Sequence, residues 1–278
     1  MYKSLIVSLN EIESIGGLID SAAELACDRD SHLTGLYVLP AMRIFPEAQF
    51  EPLPEMFGDL RRYFDDHAEM AKTVFESSLA RLAMRGEFRI VDAQSPMIAD
   101  TFSARARRFE LAVVSKVNRD ADLGVELDFV PSVLLACGRP VLVVPRLLRS
   151  SYGKRAVVGW NGSRESARAV FDALPLLSMF DEVDVLTIQD GQCMESGGIA
   201  DSGEVKDMLS GYCPNVVART MPGQDRNPGS LLLAHASLLG ARLLVMGAYG
   251  RGRLAELVLG GATRHVLREM RIPVLFSH

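Results

Sequence analysis

The feature that most narrows the fold is that the chain repeats its own opening. Lys3-Ser4-Leu5-Ile6-Val7-Ser8-Leu9-Asn10 and Lys154-Arg155-Ala156-Val157-Val158-Gly159-Trp160-Asn161 each begin on a basic residue, run through an apolar stretch and end on Asn. Each then leads into a helix-like segment. Two further runs close the halves, Arg139-Pro140-Val141-Leu142-Val143-Val144 and Ile272-Pro273-Val274-Leu275-Phe276. Self-similarity at so long a period marks a duplicated structural unit. Between these landmarks, strand-length apolar runs alternate with segments of helical periodicity, the pattern of βαβ units and a parallel sheet.

On this reading the first half carries strands near 3–9, 33–39, 87–92, 110–115 and 140–145, with helices near 15–30, 60–85, 96–108 and 129–138. The second carries strands near 155–160, 182–188, 215–221, 242–247 and 273–277, with helices near 164–178, 202–212, 229–239 and 253–270. The strands are rich in Val, Leu and Ile on both faces, as a sheet covered by helices on both sides requires. The expected fold is α/β in two tandem domains, residues 1–148 and 152–278, joined through Leu147 to Gly153. The first half also holds a long Pro- and aromatic-containing segment, Pro40 to Phe57. A loop of that length covers a ligand, meets a partner or is a plain surface elaboration.

Composition excludes several classes. With 48% hydrophobic residues in 278, the chain can fill globular cores. A net charge of −5 gives no bulk attraction to nucleic acid. The run Leu5 to Leu9 is too short for a signal-peptide core, and no stretch reaches the roughly 18 apolar residues of a spanning helix. No membrane partner is expected. Cys27, Cys137, Cys193 and Cys213 form no C-x-x-C pair and read as reduced thiols, hence a cytoplasmic location. His32, His67, His235, His265 and His278 lie at no zinc-ligand spacing, so no metal site is expected.

The chemistry gathers after the fourth strand of the second half. Val245-Met246-Gly247-Ala248-Tyr249-Gly250-Arg251-Gly252 leads through Arg253 to Leu259 into Gly260-Gly261-Ala262-Thr263. Glycines there let backbone approach a ligand with no Cβ in the way. Free N–H groups near a helix start then favour an anion such as phosphate. The same glycines would also serve a tight turn. No Gly-Lys-Ser/Thr follows, so this is not a Walker A loop, and no G-x-G-x-x-G follows the first strand.

The spacing G-x2-G-x9-G over Gly247, Gly250 and Gly260 resembles the ATP-binding pattern of the universal stress protein family. Val158-Gly159-Trp160-Asn161-Gly162-Ser163-Arg164-Glu165-Ser166 is similar to that family's first strand and turn, and Met246-Gly247, Thr263 and Ile272 to Leu275 fit as well. The resemblance spans the chain as a tandem pair, strongly in the second half and weakly in the first. It implies strand order 3-2-1-4-5 in each domain and pairing of Val141–Val144 with Val274–Phe276, a pseudo-dimer. It further implies adenine near Gly159, Trp160, Asn161 and Ile188, with ribose and phosphates near Met246, Gly247, Gly250, Arg251, Gly252, Gly260, Gly261, Ala262 and Thr263. The ligand it implies is ATP, with AMP and ADP as alternatives, in a stress-response or regulatory protein.

Two departures bear on that ligand. Asn161 stands where the family usually has Asp, removing a negative charge that would help to hold Mg²⁺, and Gly261 stands where a hydroxyl residue is common. Mg²⁺ is therefore left open. The first half has Lys116-Val117-Asn118-Arg119-Asp120 in place of the glycine loop and reads as a degenerate partner domain. No nucleophile–base–orienter set is visible, so hydrolysis is at most slow. Alternatives are a nucleotide-free interaction module and a small-ligand carrier or enzyme using the first domain. A protein partner and a homodimer remain open.

Overall fold

The computed structural model describes residues 2–26, 30–41, 54–93, 97–117, 125–146, 154–189, 202–223, 226–249 and 261–278. The chain divides into two compact units, Tyr2–Cys137 and Gly138–His278.

The first unit runs β1 (Ser4–Ser8), a 3-10 turn at Ile12–Ser14, α1 (Ile15–Ala26), β2 (His32–Leu39), α2 (Pro54–Leu82), β3 (Arg85–Asp92), α3 (Ile98–Ala106), β4 (Leu111–Ser115) and α4 (Phe129–Ala136). Its strands lie in the order β3-β2-β1-β4, with β1 parallel to both β2 and β4, and β2 parallel to β3. Parallel strands need crossover helices, which here pack as α1 on α2 and α3 on α4. The central strands are inaccessible on both faces: Leu5, Val7, Leu111, Ala112, Val113 and Val114 are wholly buried.

The second unit runs β5 (Val141–Val144), β6 (Arg155–Trp160), α5 (Arg164–Leu177), β7 (Glu182–Gln189), α6 (Ser202–Leu209), β8 (Val216–Pro222), α7 (Pro228–Leu238), β9 (Leu243–Gly247), α8 (Gly261–Glu269) and β10 (Val274–Ser277). Its order is β5-β10-β9-β6-β7-β8. Leaving β5 aside, that order is 5-4-1-2-3 in the numbering of the second half, with all neighbours parallel. β5 runs antiparallel to β10, with Val143 opposite Val274 and Val141 opposite Phe276. This ladder gathers the first half's closing strand into the second unit and covers the β10 edge, which an unpaired strand would expose.

Helix placement follows from the pleat. Gly159 pairs with Met246, and the direction of a Cβ at Gly159 leads to Leu232 of α7. The next residue along β9, Gly247, points the opposite way, to Glu165 and Ser166 of α5. Side chains alternate along a strand, so α5 and α7 cover opposite faces. α8 packs on α7, and α6 on β7 and β8.

Both bounds of α2 differ from the sequence reading. α2 takes in Pro54 to Phe57, which had been assigned to the preceding segment; proline lacks an N–H and its φ suits a first turn. The rest of that segment, 42–53, lies outside the described residues, as does 253–260, where the last helix had been expected to begin. α2 also stops before 85, because Ala83 turns left-handed at φ 52° and Met84 N–H bonds back to the Leu79 carbonyl at 3.0 Å. A left-handed residue with a Cβ carries a penalty of about 1–2 kcal/mol, more than glycine's extra chain entropy. Ala83→Gly is expected to stabilise the protein by about 0.5–1 kcal/mol, read as a higher urea midpoint with unchanged slope.

Candidate functional site

In the second unit β6 is the strand from which the chain moves one way to β7 and the other way to β9. This is the switch point of a doubly wound sheet, where loops diverge and leave a crevice at the carboxyl ends of the strands. A cavity of about 300 Å³ lies there. Its walls include Gly159, Trp160 and Asn161 from β6 and its turn, Ile188 from β7, and Met246, Gly247 and Tyr249 from the end of β9. The volume is at the lower end of the range for small-molecule sites.

Local sequence explains each wall. Gly247 is demanded by close approach: a Cβ there would stand 2.6 Å from both the Glu165 carbonyl carbon and the Ser166 nitrogen. β9 therefore runs against the backbone of α5's first turn. At Gly159 a Cβ would press on the end of Leu232, 3.0 Å from Cδ1, and touch Met246 Cβ at an ordinary 3.6 Å. Asn161 closes the turn after β6, its Oδ1 accepting from Ser163 N–H at 3.1 Å while Gly162 takes φ 72°. Ser163 then caps α5, its Oγ accepting from Ser166 N–H at 3.2 Å. Asn227 caps α7, its Oδ1 accepting from Gly229 N–H at 2.8 Å, and Pro228 opens the helix.

Three helices, α5, α7 and α8, thus begin at the cavity, which Ser163, Asn227 and Gly261 all line. The N-terminus of each carries a partial positive charge of about half a unit. None of the described lining residues is formally charged. Nearby, burial by itself would raise the Glu165 carboxyl, but its own N–H, Arg164 and Ser163 outweigh that and hold it below the usual carboxylate range. It is ionised in the first turn of α5, where a negative charge suits the helix.

Among the described residues, two buried aromatic donors in the wall, the Trp160 indole Nε1 and the Tyr249 hydroxyl, have no hydrogen-bond partner. Burial pushes the Tyr249 phenol well above its usual range. Tyr249 sits at φ 59°, unusual for a residue with a Cβ, and its N–H donates to Thr263 Oγ1 at 3.3 Å. Its ring meets His278 edge-on at 5.9 Å. Beneath α7, the buried Asp184 carboxylate bonds His235 Nε2 at 2.9 Å and Arg219 Nε at 2.6 Å, tying α7 to β7 and β8.

Of the residues expected from sequence, Gly159, Trp160, Asn161, Ile188, Met246, Gly247, Gly261, Ala262 and Thr263 all line this one cavity. Gly250, Arg251, Gly252 and Gly260 lie outside the described residues. The Thr263 hydroxyl, read as a phosphate contact, also accepts from Tyr249. Sequence reasoning missed Asn227, Pro228, Leu186, Leu232 and Tyr249 as wall residues. Asn-Pro-Gly after β8 was the available signal, since it reads as a capped helix start at the same sheet edge.

The first unit treats the equivalent positions differently. Asn10, which lies just past β1 as Asn161 does past β6, is buried; its Nδ2 donates to the Val38 carbonyl at 2.7 Å and its Oδ1 accepts from Val38 N–H at 3.1 Å. The start of α3 is held by Glu126, whose carboxylate accepts from Ile98 N–H. There the chain supplies its own anion. Burial, outweighing the backbone N–H groups of Glu126, Ile98 and Ala99, raises this carboxyl above its usual range. A raised folded-state value means its contribution is full below the unfolded value and is lost as pH rises through the folded one. Glu126→Gln is expected to remove that decline, seen as a flatter dependence of urea midpoint on pH from acid toward neutrality.

The second unit is a doubly wound α/β domain with a cavity at its switch point. Residues 153–278 match the model of the universal stress protein family, and this half of the chain belongs to that family. A universal stress protein from Archaeoglobus fulgidus DSM 4304 is similar over 99% of this chain and 97% of its own, at 15% identity and a TM-score of 0.69. A functionally unknown protein, PA1789 from Pseudomonas aeruginosa PAO1, is similar over 99% and 92%, at 14% identity and a TM-score of 0.58. These likenesses concern the fold alone. A universal stress protein family protein from Arabidopsis thaliana with AMP bound matches over 52% and 92%, at 15% identity and a TM-score of 0.35, too low to bear on this site. No curated protein matches the chain.

The glycines separate by what stands opposite them. Gly247→Ala drives a Cβ into backbone and is expected to cost about 2 kcal/mol, whereas Gly159→Ala, facing a flexible leucine end, should cost under about 1 kcal/mol. Chemical denaturation of the two variants beside the parent checks the ranking.

Proposed function

We propose that the second unit binds an adenine nucleotide, ATP or its di- or monophosphate, and that occupancy sets which protein partner the chain engages in a stress response. The observation that carries this reading is the cavity's two-sided character. One side is an apolar slot of Leu186, Ile188, Leu232 and Met246 beside Gly159, suited to a flat base. The other is the meeting of helix starts at Ser163, Asn227 and Gly261, suited to phosphate. Such a pairing of apolar wall and convergent N–H donors matches a nucleotide better than a purely apolar or purely anionic ligand. Membership of the second half in the universal stress protein family supports the same reading.

Among the described lining residues none is a carboxylate or an imidazole, so hydrolysis gains no general base from them. Asn161 Oδ1 is engaged by Ser163 N–H. Mg²⁺ would then be held by the phosphates and water rather than by a protein cage. Buried free Cys137 and Cys213 agree with a reducing compartment, for which the cytoplasm is our assignment. Among the described residues no helix is long and apolar enough to cross a membrane.

Calorimetric titration of nucleotide-stripped protein with ATP tests the proposal. The expected result is saturable binding near one site per chain, changed less than about threefold by Mg²⁺. Ile188→Trp, which fills the slot from the strand end, should abolish binding at an unchanged melting temperature. Absence of heat and of any ligand-induced rise in melting temperature would overturn the reading.

A further inference from the structure

Asn227 does two things at once. Its Oδ1 accepts from Gly229 N–H at 2.8 Å, capping α7, and its Nδ2 donates to the Gly261 carbonyl at 3.1 Å, at the first residue of α8. The two helices meet closely just beyond: a Cβ on Gly229 would stand 2.5 Å from the Ala262 carbonyl oxygen and 3.0 Å from Val266 Cγ2. On its other side α8 is tied to the end of β9 by the 3.3 Å bond from Tyr249 N–H to Thr263 Oγ1. The first turn of α8 is therefore anchored from both flanks, and Asn227, Gly261, Ala262 and Thr263 all line the cavity.

From this geometry we infer that Asn227 is a positioning residue for the nucleotide's phosphate-bearing end, acting by fixing the first turn of α8 against α7. This rests on the nucleotide reading above. Only a primary amide serves, because the position needs an acceptor for Gly229 and a donor for Gly261 on one short side chain. Aspartate keeps the acceptor but has no donor and sets a carboxylate against the Gly261 carbonyl. Serine keeps a cap but is too short to span to α8. Both are good N-caps, so either change separates the bridge from the stability of α7.

The experiment measures binding of ATP, adenosine and inorganic triphosphate to the full chain and to Asn227→Ser and Asn227→Asp, with melting temperatures of the unliganded proteins. Expected are melting temperatures close to the parent's, a roughly tenfold loss of affinity for ATP and triphosphate in Asn227→Ser, and a larger loss in Asn227→Asp. Adenosine binding should stay within about twofold. Unchanged ATP affinity, or equal losses for ATP and adenosine, would overturn the positioning role. A parent that binds adenosine as tightly as ATP keeps the adenine reading and overturns this inference. A parent that binds triphosphate but neither adenosine nor ATP overturns the nucleotide reading, and the triphosphate series still decides the role of Asn227. No binding of any probe by the parent overturns both.

Discussion

At Gly247 the main chain of β9 lies against the main chain of α5's first turn, with no space for a side chain between them. That approach sets much of the second unit's geometry around the cavity. It brings the capped start of α5 to the carboxyl edge of the sheet, and it lets β9 leave the sheet directly beside β6. From there the strand order reverses and the crevice opens. Gly229, against Ala262, plays the matching part between α7 and α8. Around the cavity, backbone meets backbone at two glycines, and the helix starts converge as a consequence.

The two units meet the same geometric problem with different side chains. Any doubly wound sheet leaves unpaired N–H groups where its helices begin. In the first unit Glu126 brings a carboxylate to the start of α3, and Asn10 locks onto the backbone of Val38 in β2. In the second, Asn161 faces outward and helix starts border a cavity. In the first unit the position that corresponds to Asn161 is taken up by the chain's own backbone at Val38.

Much of the fold was legible because strands buried on both faces must be continuous apolar runs. Val157, Val158, Leu243 and Leu244 could hardly be anything else. Helix ends were less legible where local chemistry pointed elsewhere: Ala83 carries no mark of a left-handed stop, and Pro54 looks like loop until it is placed at a first turn. At the site, Gly247, the last residue of β9, was readable as a close-approach position. Asn227 was not, because its second hydrogen bond reaches Gly261, far along the chain, and no local pattern encodes that pairing. Tyr249 was hidden for a similar reason, its left-handed backbone being held by Thr263. Long-range polar bonds are the part that periodicity and spacing do not carry.

Hydrogen–deuterium exchange of the full chain, with and without saturating ATP, tests the central claim most directly, since it reports where a ligand orders the backbone. The account predicts slowed exchange confined to the second unit, at the starts of α5, α7 and α8 and at the end of β9, with residues 2–137 unaltered. Slowing centred in the first unit, or no change anywhere at a concentration that saturates binding, would contradict it.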